Sequence, residues 1–194
     1  MPMRVIAGEY RHRKLEYPED NKDIRPTKDR IREAFFSSLG DISGKSFLDL
    51  YAGCGSMGIE AISRGASYST FVDISSVSIG YVTKNIKTLD IKDRSEIVKA
   101  SDLTALEEFK REGRQFDIIY IDPPYESDRY EIALNNIFDN NLIGKNGVIA
   151  LETKRDILIN PLWNVKIKEY HYGEIKVVVL RKWKEQFTLE VLIR

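Results

Sequence analysis

The 194-residue sequence holds one cysteine, Cys54, and two histidines, His12 and His171. A single thiol excludes an intrachain disulfide, and so few Cys and His leave no zinc-ligand spacing. No run approaches the roughly 18 apolar residues that a membrane helix needs, and the charged start of the chain lacks the apolar core of a signal peptide. The expected compartment is therefore a reducing cytoplasm. Charge of one sign is also missing, because 30 Lys and Arg balance 30 Asp and Glu. Any nucleic-acid surface must come from local clustering. Repeats, low-complexity tracts and linkers are absent too, which points to one domain with a small appendage. A chain of this length can bury roughly 70% of its unfolded surface, so no metal or disulfide is required to hold a core.

What is present is a sequence of strand, turn and helix signals. Residues 3–17 alternate loosely about Gly8 and predict two short strands in a hairpin. Thr27, after Pro26, offers an N-cap, and Ile31, Ala34, Phe35 and Leu39 recur at helical spacing. A helix over 28–39 follows, with Arg30 and Arg32 off its apolar stripe. From residue 46 the pattern repeats: strands at 46–53, 69–74, 95–100, 116–122 and 147–152, separated by helices at 56–64, 76–89, 103–112 and about 129–139. Near-continuously apolar strands alternating with helices predict a parallel sheet covered on both faces. After residue 160 the alternation stops, and 165–172 with 174–183 flank Gly173 as an antiparallel pair. The expected units are an N-terminal extension over 1–40, a main α/β domain over 41–183 and a tail over 184–194.

Ligands of an open parallel sheet bind beyond the carboxyl ends of its strands. After the first strand comes Asp49-Leu50-Tyr51-Ala52-Gly53-Cys54-Gly55-Ser56-Met57-Gly58. The glycines permit a sharp turn and close approach of a ligand, and Asp73 ends the second strand, placed for two ribose hydroxyls. This spacing also fits a dinucleotide fingerprint. Asp49 tilts the choice: a carboxylate repels a pyrophosphate but favours the cationic sulfonium and ammonium of S-adenosyl-L-methionine. Cys54 has no nearby histidine to activate it as a nucleophile. Ser101-Asp102, at the end of the third strand, fits an adenine neighbourhood and equally a helix N-cap.

Asp122-Pro123-Pro124-Tyr125 is the most specific signal. It follows an apolar strand, so it lies at the same sheet edge, and two prolines make a rigid corner with exposed carbonyls. An exocyclic base amine is a poor nucleophile because its lone pair is delocalised into the ring. The Asp122 carboxylate and the Pro123 carbonyl can hold its two N–H bonds and turn the lone pair to a methyl donor, while Tyr125 stacks on the base. Positioning then supplies the catalysis without a metal.

These motifs resemble those of a known family. FLDLYAGCGSMGIEA, VDIS, SDL and IDPPY fall in the order of the class I methyltransferases. MRVIAGEYRHRKL and IRPTKDRIREAFFSSLG are similar to pieces of the bacterial 16S rRNA guanine-N2 methyltransferases. The resemblance spans about residues 3–183, with Cys54 where Ser is more usual and Asp73 where Glu is common. It implies a Rossmann-like, mostly parallel seven-stranded sheet with a C-terminal antiparallel hairpin. It implies cofactor contacts at Asp49, Gly53, Gly55, Asp73 and Asp102, to which Ala52, Ile74, Ser101 and Asp122 are added as neighbours. Catalytic roles fall on Asp122, Pro123, Pro124 and Tyr125, and an RNA- or active-site-facing role on Arg25, Pro26 and Thr27. Glu152 matches an acidic position of that family, with a structural role expected.

Residues 1–32 carry nine Lys or Arg against six Asp or Glu, a surplus of three. Arg11, Arg13, Arg25, Thr27, Lys28 and Arg30 are therefore the expected contacts to 16S rRNA, by phosphate neutralisation rather than base reading. Lys154-Arg155 and Arg181-Lys182 could extend the patch. A solvated surface hairpin explains the same charges. The partner is expected to be a small ribosomal subunit, assembled or assembling, and the enzyme a monomer without membrane contact. Other acceptors (adenine N6 in DNA, a glutamine amide), a nicotinamide oxidoreductase and a non-catalytic ribosome-assembly factor are the alternatives.

Overall fold

The computed structural model describes residues 3–18, 29–124 and 128–182. Tyr125, Arg25, Pro26, Thr27, Lys28 and the tail from residue 183 lie outside them. Seven strands, β1 (Ser46–Asp49), β2 (Tyr68–Asp73), β3 (Ser95–Lys99), β4 (Phe116–Ile121), β5 (Ile143–Thr153), β6 (Val165–Tyr172) and β7 (Ile175–Lys182), form one sheet in the order β3-β2-β1-β4-β5-β7-β6. The first five pair in parallel. β7 inserts antiparallel between β5 and β6. The parallel order reverses direction at β1, so the crevice beyond the ends of β1 and β4 is the topological switch point where such sheets bind ligands.

The helices are α1 (Asp29–Leu39), α2 (Ser56–Ser63), α3 (Ser76–Leu89), α4 (Asp102–Arg111) and α5 (Arg129–Asp139). Alternation along each strand sorts the core into two faces. Ile119 and Ile121 of β4 pack with Leu106, Phe109, Tyr130, Leu134 and Ile137 of α4 and α5. Ile118 and Tyr120 pack with Ile31, Phe35 and Phe36 of α1 and with Met57 and Ala61 of α2. The Phe35 and Tyr120 rings lie 5.4 Å apart, which seats α1 over β4. β5 is longer than expected. Its register with β4 jumps from Phe116–Ile143 to Ile118–Val148, so Gly144, Lys145 and Asn146 bulge within a strand where their polarity suggested a loop.

The N-terminal segment keeps the expected hairpin but reduces its two strands to a single bridge. One antiparallel bridge, Arg4–Lys14, is flanked by backbone bonds such as Val5 N–H to Arg13 O (2.9 Å) and Leu15 N–H to Met3 O (3.0 Å). Side chains of α2 take the other donors. The Glu60 carboxylate accepts from Ile6 N–H (2.8 Å) and Ala7 N–H (3.0 Å), and Ser63 Oγ accepts from Tyr10 N–H (3.0 Å). Gly8 has φ +84, and a Cβ there would lie 1.8 Å from the Ser63 carbonyl oxygen. Only glycine lets this segment lie so close to α2.

Arg32 corrects a second expectation. It is fully buried, one turn before Phe35 and Phe36, and therefore on the inner stripe of α1 by geometry despite its charge. Its Nη2 donates to Arg4 O (2.7 Å) and Asp29 Oδ1 (2.8 Å). Its Nε and Nη1 find no hydrogen-bond partner among the described residues. Buried ions left partly unsatisfied cost stability, so this residue holds the extension in place at the expense of the core.

Glu60 is also fully buried and pairs with Arg64 Nε at 2.7 Å. Replacing Glu60 by Ala strands two buried backbone donors and a guanidinium. The expected outcome is a loss of about 3 kcal/mol in urea unfolding, with faster amide exchange over residues 5–15. Slow exchange there would show that the clamp is not what holds the segment.

Candidate functional site

The loop after β1 is built on positive backbone angles. Gly53 has φ 55 and Gly55 φ 84, and Gly55 N–H donates to Ala52 O at 2.7 Å. Gly58 serves a different purpose: a Cβ there would lie 2.3 Å from the Phe71 ring, so this glycine lets α2 press onto β2. Ala52 is buried, and its N–H donates to Val72 O.

Four aspartates and a glutamate gather at the carboxyl edge. Asp49 is buried, and its Oδ2 accepts from Gly58 N–H at 3.0 Å. Burial pushes its carboxyl up to about 7, with the Asp73 charge adding and the Gly58 bond opposing. Asp73 Oδ2 accepts from Gly53 N–H and its Oδ1 from Ser75 N–H, both at 2.8 Å. Ile74 beside it is 71% exposed, an apolar surface that no core requires. Ser101 caps α4 by accepting from Thr104 N–H, so the cap reading is realised. Asp102 behind it takes the Tyr51 hydroxyl at 2.5 Å and lies 3.4 Å from Arg129 Nη1.

Asp122 follows β4, with Pro123 buried and Pro124 exposed. Its carboxyl is held well above the ordinary carboxylate range, first by burial and then by the charges of Glu152 and Asp49. Glu152 is buried, its Oε2 accepts the Tyr120 hydroxyl at 2.7 Å, and its carbonyl accepts the Tyr130 hydroxyl at 2.7 Å. Tyr51, Tyr120, Tyr130 and Arg129 thus hold the acids in position, and no motif or spacing in the sequence singles them out. The strand pattern places Glu152 at a strand end, but its adjacency to Asp122 comes only from the β4–β5 register. Cys54 is buried with its thiol pushed up to about 11 by burial, and its Sγ lies 3.4 Å from Met3 Sδ. A thiol so protonated is no nucleophile.

Among the described residues, the basic side chains are not gathered into one patch. Arg11, Arg13 and Arg30 are exposed. Arg13 donates to Thr88 O at the end of α3, whereas the Arg30 guanidinium lies over the Tyr172 ring of β6, at the other end of the sheet order. Arg155 forms a two-pronged pair with Glu131. Among the described residues, no helix is long and apolar enough to cross a membrane.

A family model described as "Conserved hypothetical protein 95" matches residues 3–181. The chain belongs to that family. The "Ribosomal RNA small subunit methyltransferase D" of Haemophilus influenzae is 35% identical over 79% of this chain and 80% of its own. The "Putative rRNA methyltransferase YlbH" of Bacillus subtilis is 33% identical over 93% of this chain and 99% of its own. Among solved structures, the "Putative methyltransferase yhhF from Escherichia coli" superposes with a TM-score of 0.81 at 26% identity, over 95% of this chain and 100% of that one. The family member therefore has the class I methyltransferase fold, a mostly parallel seven-stranded sheet closed by an antiparallel hairpin.

The site's acids give a test with a definite sign. Asp49 has a folded value of about 7 against an ordinary 3.8. Its neutral form is the one the fold prefers, so stability is intact below the lower value and falls as pH rises to the upper one. In urea titrations, wild type should lose stability relative to Asp49→Asn between about pH 4 and 7, by a few kcal/mol, and run parallel to it above about pH 8. A pH-independent difference between the two would contradict the burial of this carboxyl.

Proposed function

We propose that this family member transfers a methyl group from S-adenosyl-L-methionine to the exocyclic N2 amine of a guanine in 16S rRNA of the small ribosomal subunit. The observation that carries the reading is the Asp122-Pro123-Pro124 corner at the switch point, adjoining a glycine loop ringed by carboxylates. The loop over 49–58 has no Lys or Arg, which suits a ligand with two positive centres and disfavours a pyrophosphate. Asp73 keeps lone pairs for ribose hydroxyls beyond the two N–H bonds it accepts. Ile74 offers an apolar surface on one side of an adenine, with Ser101 and Asp102 at its rim. The residues present therefore fit the cofactor. The names of the relatives, which act on ribosomal RNA of the small subunit, support the same acceptor.

When bound, the cofactor supplies an activated methyl group. The chain's own part is to place the amine. Asp122 carboxylate and Pro123 carbonyl accept the two N–H bonds of guanine N2, so the lone pair points at the donor, and Tyr125 stacks on the base. A carboxyl held above the ordinary range is the stronger base, and Asp122 would take the proton released as the amine's bond to the methyl carbon forms and that carbon's bond to the donor sulfur breaks. Asp122 must be ionised to accept the amine. Single-turnover methylation should rise with pH along a limb lying above the ordinary carboxylate range.

The decisive experiment offers labelled S-adenosylmethionine with naked 16S RNA, assembled small subunits, adenine-containing DNA and glutamine peptides, and maps the product by mass spectrometry. Label in N2-methylguanosine of small-subunit RNA is expected. Asp122→Ala should lose at least about a hundredfold in rate while its melting curve stays close to wild type. Label confined to DNA or protein would replace the acceptor. Cofactor binding without turnover on any of them would leave an assembly factor. The site of action is the cytoplasm, with the subunit as partner and the enzyme a monomer.

A further inference from the structure

The C-terminal hairpin begins three strands away from β1 in the sheet order. Register determines what its faces show. Val177 and Val179 of β7 pack on the α1 side of the sheet, and their ladder partners are Tyr170 and Lys168. Lys166, Lys168, Tyr170 and Tyr172, each two residues from the next, therefore share that side of β6. The lysines are exposed and the tyrosines half-buried.

Cations cover the rings. Lys168 Nζ lies 4.9 Å from the Tyr170 ring centre, and Arg30 Cζ, at the start of α1, lies 5.9 Å from that of Tyr172. Arg181, opposite Lys166 in the ladder, is exposed and reaches Ser38 O. The acids of the strand lie elsewhere: Glu169 alternates onto the far face with His171, and Glu174 in the turn pairs with Lys154. Among the described residues, Glu33, exposed on α1 three residues after Arg30, and Asp29, paired with Arg4 and Arg32, are the acids of that helix. Lysines on an edge strand discourage edge-to-edge pairing. That accounts for charge, and packing against the α1-side core accounts for the two tyrosines, but neither calls for cations laid over their rings.

We propose that this face, with Arg30, Tyr172, Tyr170 and Lys168 in a row, is the track for a single-stranded segment of the substrate RNA beside the target base. Bases stack on the two tyrosines as Arg30 and Lys168 move from ring to phosphate, and Lys166 extends the phosphate path. Stacking platforms interleaved with cations hold single strands without reading their sequence. The row is well placed. Tyr172 is level with the end of β5, since His171 and Thr153 both pair with Lys176. Three strand spacings separate β6 from β4, or about 14 Å, a reach of a few nucleotides from the Asp122 corner. The inference rests on the proposed RNA acceptor and adds where the rest of that RNA lies.

Binding of a fluorescein-labelled oligouridylate, followed by anisotropy across a salt series, tests it. Lys168→Glu should weaken binding by about tenfold or more and flatten the plot of log affinity against log salt by roughly 0.7 for each phosphate no longer neutralised. Tyr170→Leu, which keeps the apolar packing, should weaken binding by about five- to hundredfold at unchanged slope. Lys87→Glu, on α3 at the other end of the molecule, serves as the charge control and should stay near wild type. Affinity for S-adenosylhomocysteine should be the same in all four proteins. If wild type binds RNA and methylates it while Lys168→Glu and Tyr170→Leu match it on the oligonucleotide, the track is wrong and the activity stands. Defects seen only on assembled subunits would assign the face to a ribosomal protein and also overturn it. A wild type that neither binds nor methylates RNA would sink the acceptor reading along with the track.

Discussion

Carboxylates crowded at one sheet edge are the constraint around which this molecule is arranged. Asp49, Asp73, Asp102, Asp122 and Glu152 all sit where parallel strands end, and two of them are pushed upward by burial and by neighbouring acids. Like charges in a low-dielectric pocket are mutually destabilising, so each needs a donor with no competing use. Backbone N–H groups of the glycine loop serve Asp49 and Asp73, and tyrosine hydroxyls serve Asp102 and Glu152. Asp102 also has a cation, Arg129, beside it. Neutral donors orient the acids without cancelling their field. A cationic ligand there gains from the ionised acids, and its charge would favour ionisation of Asp49 and Asp122, which burial holds toward the neutral form.

This arrangement explains why the loop is so thoroughly braced. Gly53 and Gly55 make the turn, but Asp49 and Asp73 fix its position by accepting Gly58 N–H and Gly53 N–H across it. The same carboxylates that would meet a ligand also shape the backbone around it. Behind them, Arg32 and Glu60 carry the bracing outwards. Arg32 ties α1 to the Arg4 carbonyl, and Glu60 ties α2 to residues 6 and 7. Both are fully buried ions, which a hydrophobic core would do without. Their use is positional: they hold an extension rich in charge against helices whose other sides line the sheet.

How much of this is legible in the chain follows from how far apart the interacting residues lie. Strand ends and the glycine loop are local features, so spacing and apolar runs alone place Asp49, Asp73, Asp102 and Asp122 on one edge. The helix over 129–139 and the hairpin about Gly173 come from the same short-range signals. What escapes is held together over long separations. Tyr51 finds Asp102 across 51 positions, and Ile6 finds Glu60 across 54. The expected N-terminal hairpin is cut short after Val5 because the next donors, Ile6 and Ala7 N–H, are taken by Glu60 of α2. Arg32 looks like a surface residue only if charge outranks helical geometry. Position on the wheel is the better guide there, since a buried guanidinium with even two good acceptors can persist.

The sheet order divides the labour in a way that bears on specificity. β1 to β4 and the segments that follow them carry Asp49, Asp73, Asp102 and Asp122. β5, the hairpin and α1 are the elements that follow or precede the repeating βα units. Glu152 stands at the boundary, its charge felt at Asp122 and its carboxylate fastened to Tyr120, whose ring packs under Phe35 of α1. A shift of α1 would therefore be felt at Glu152, and through its charge at Asp122. A contact made by the outer elements would in this way reach the carboxyl of Asp122. Chemistry common to a whole fold class can thus acquire a particular substrate without any change at the donor's end of the pocket.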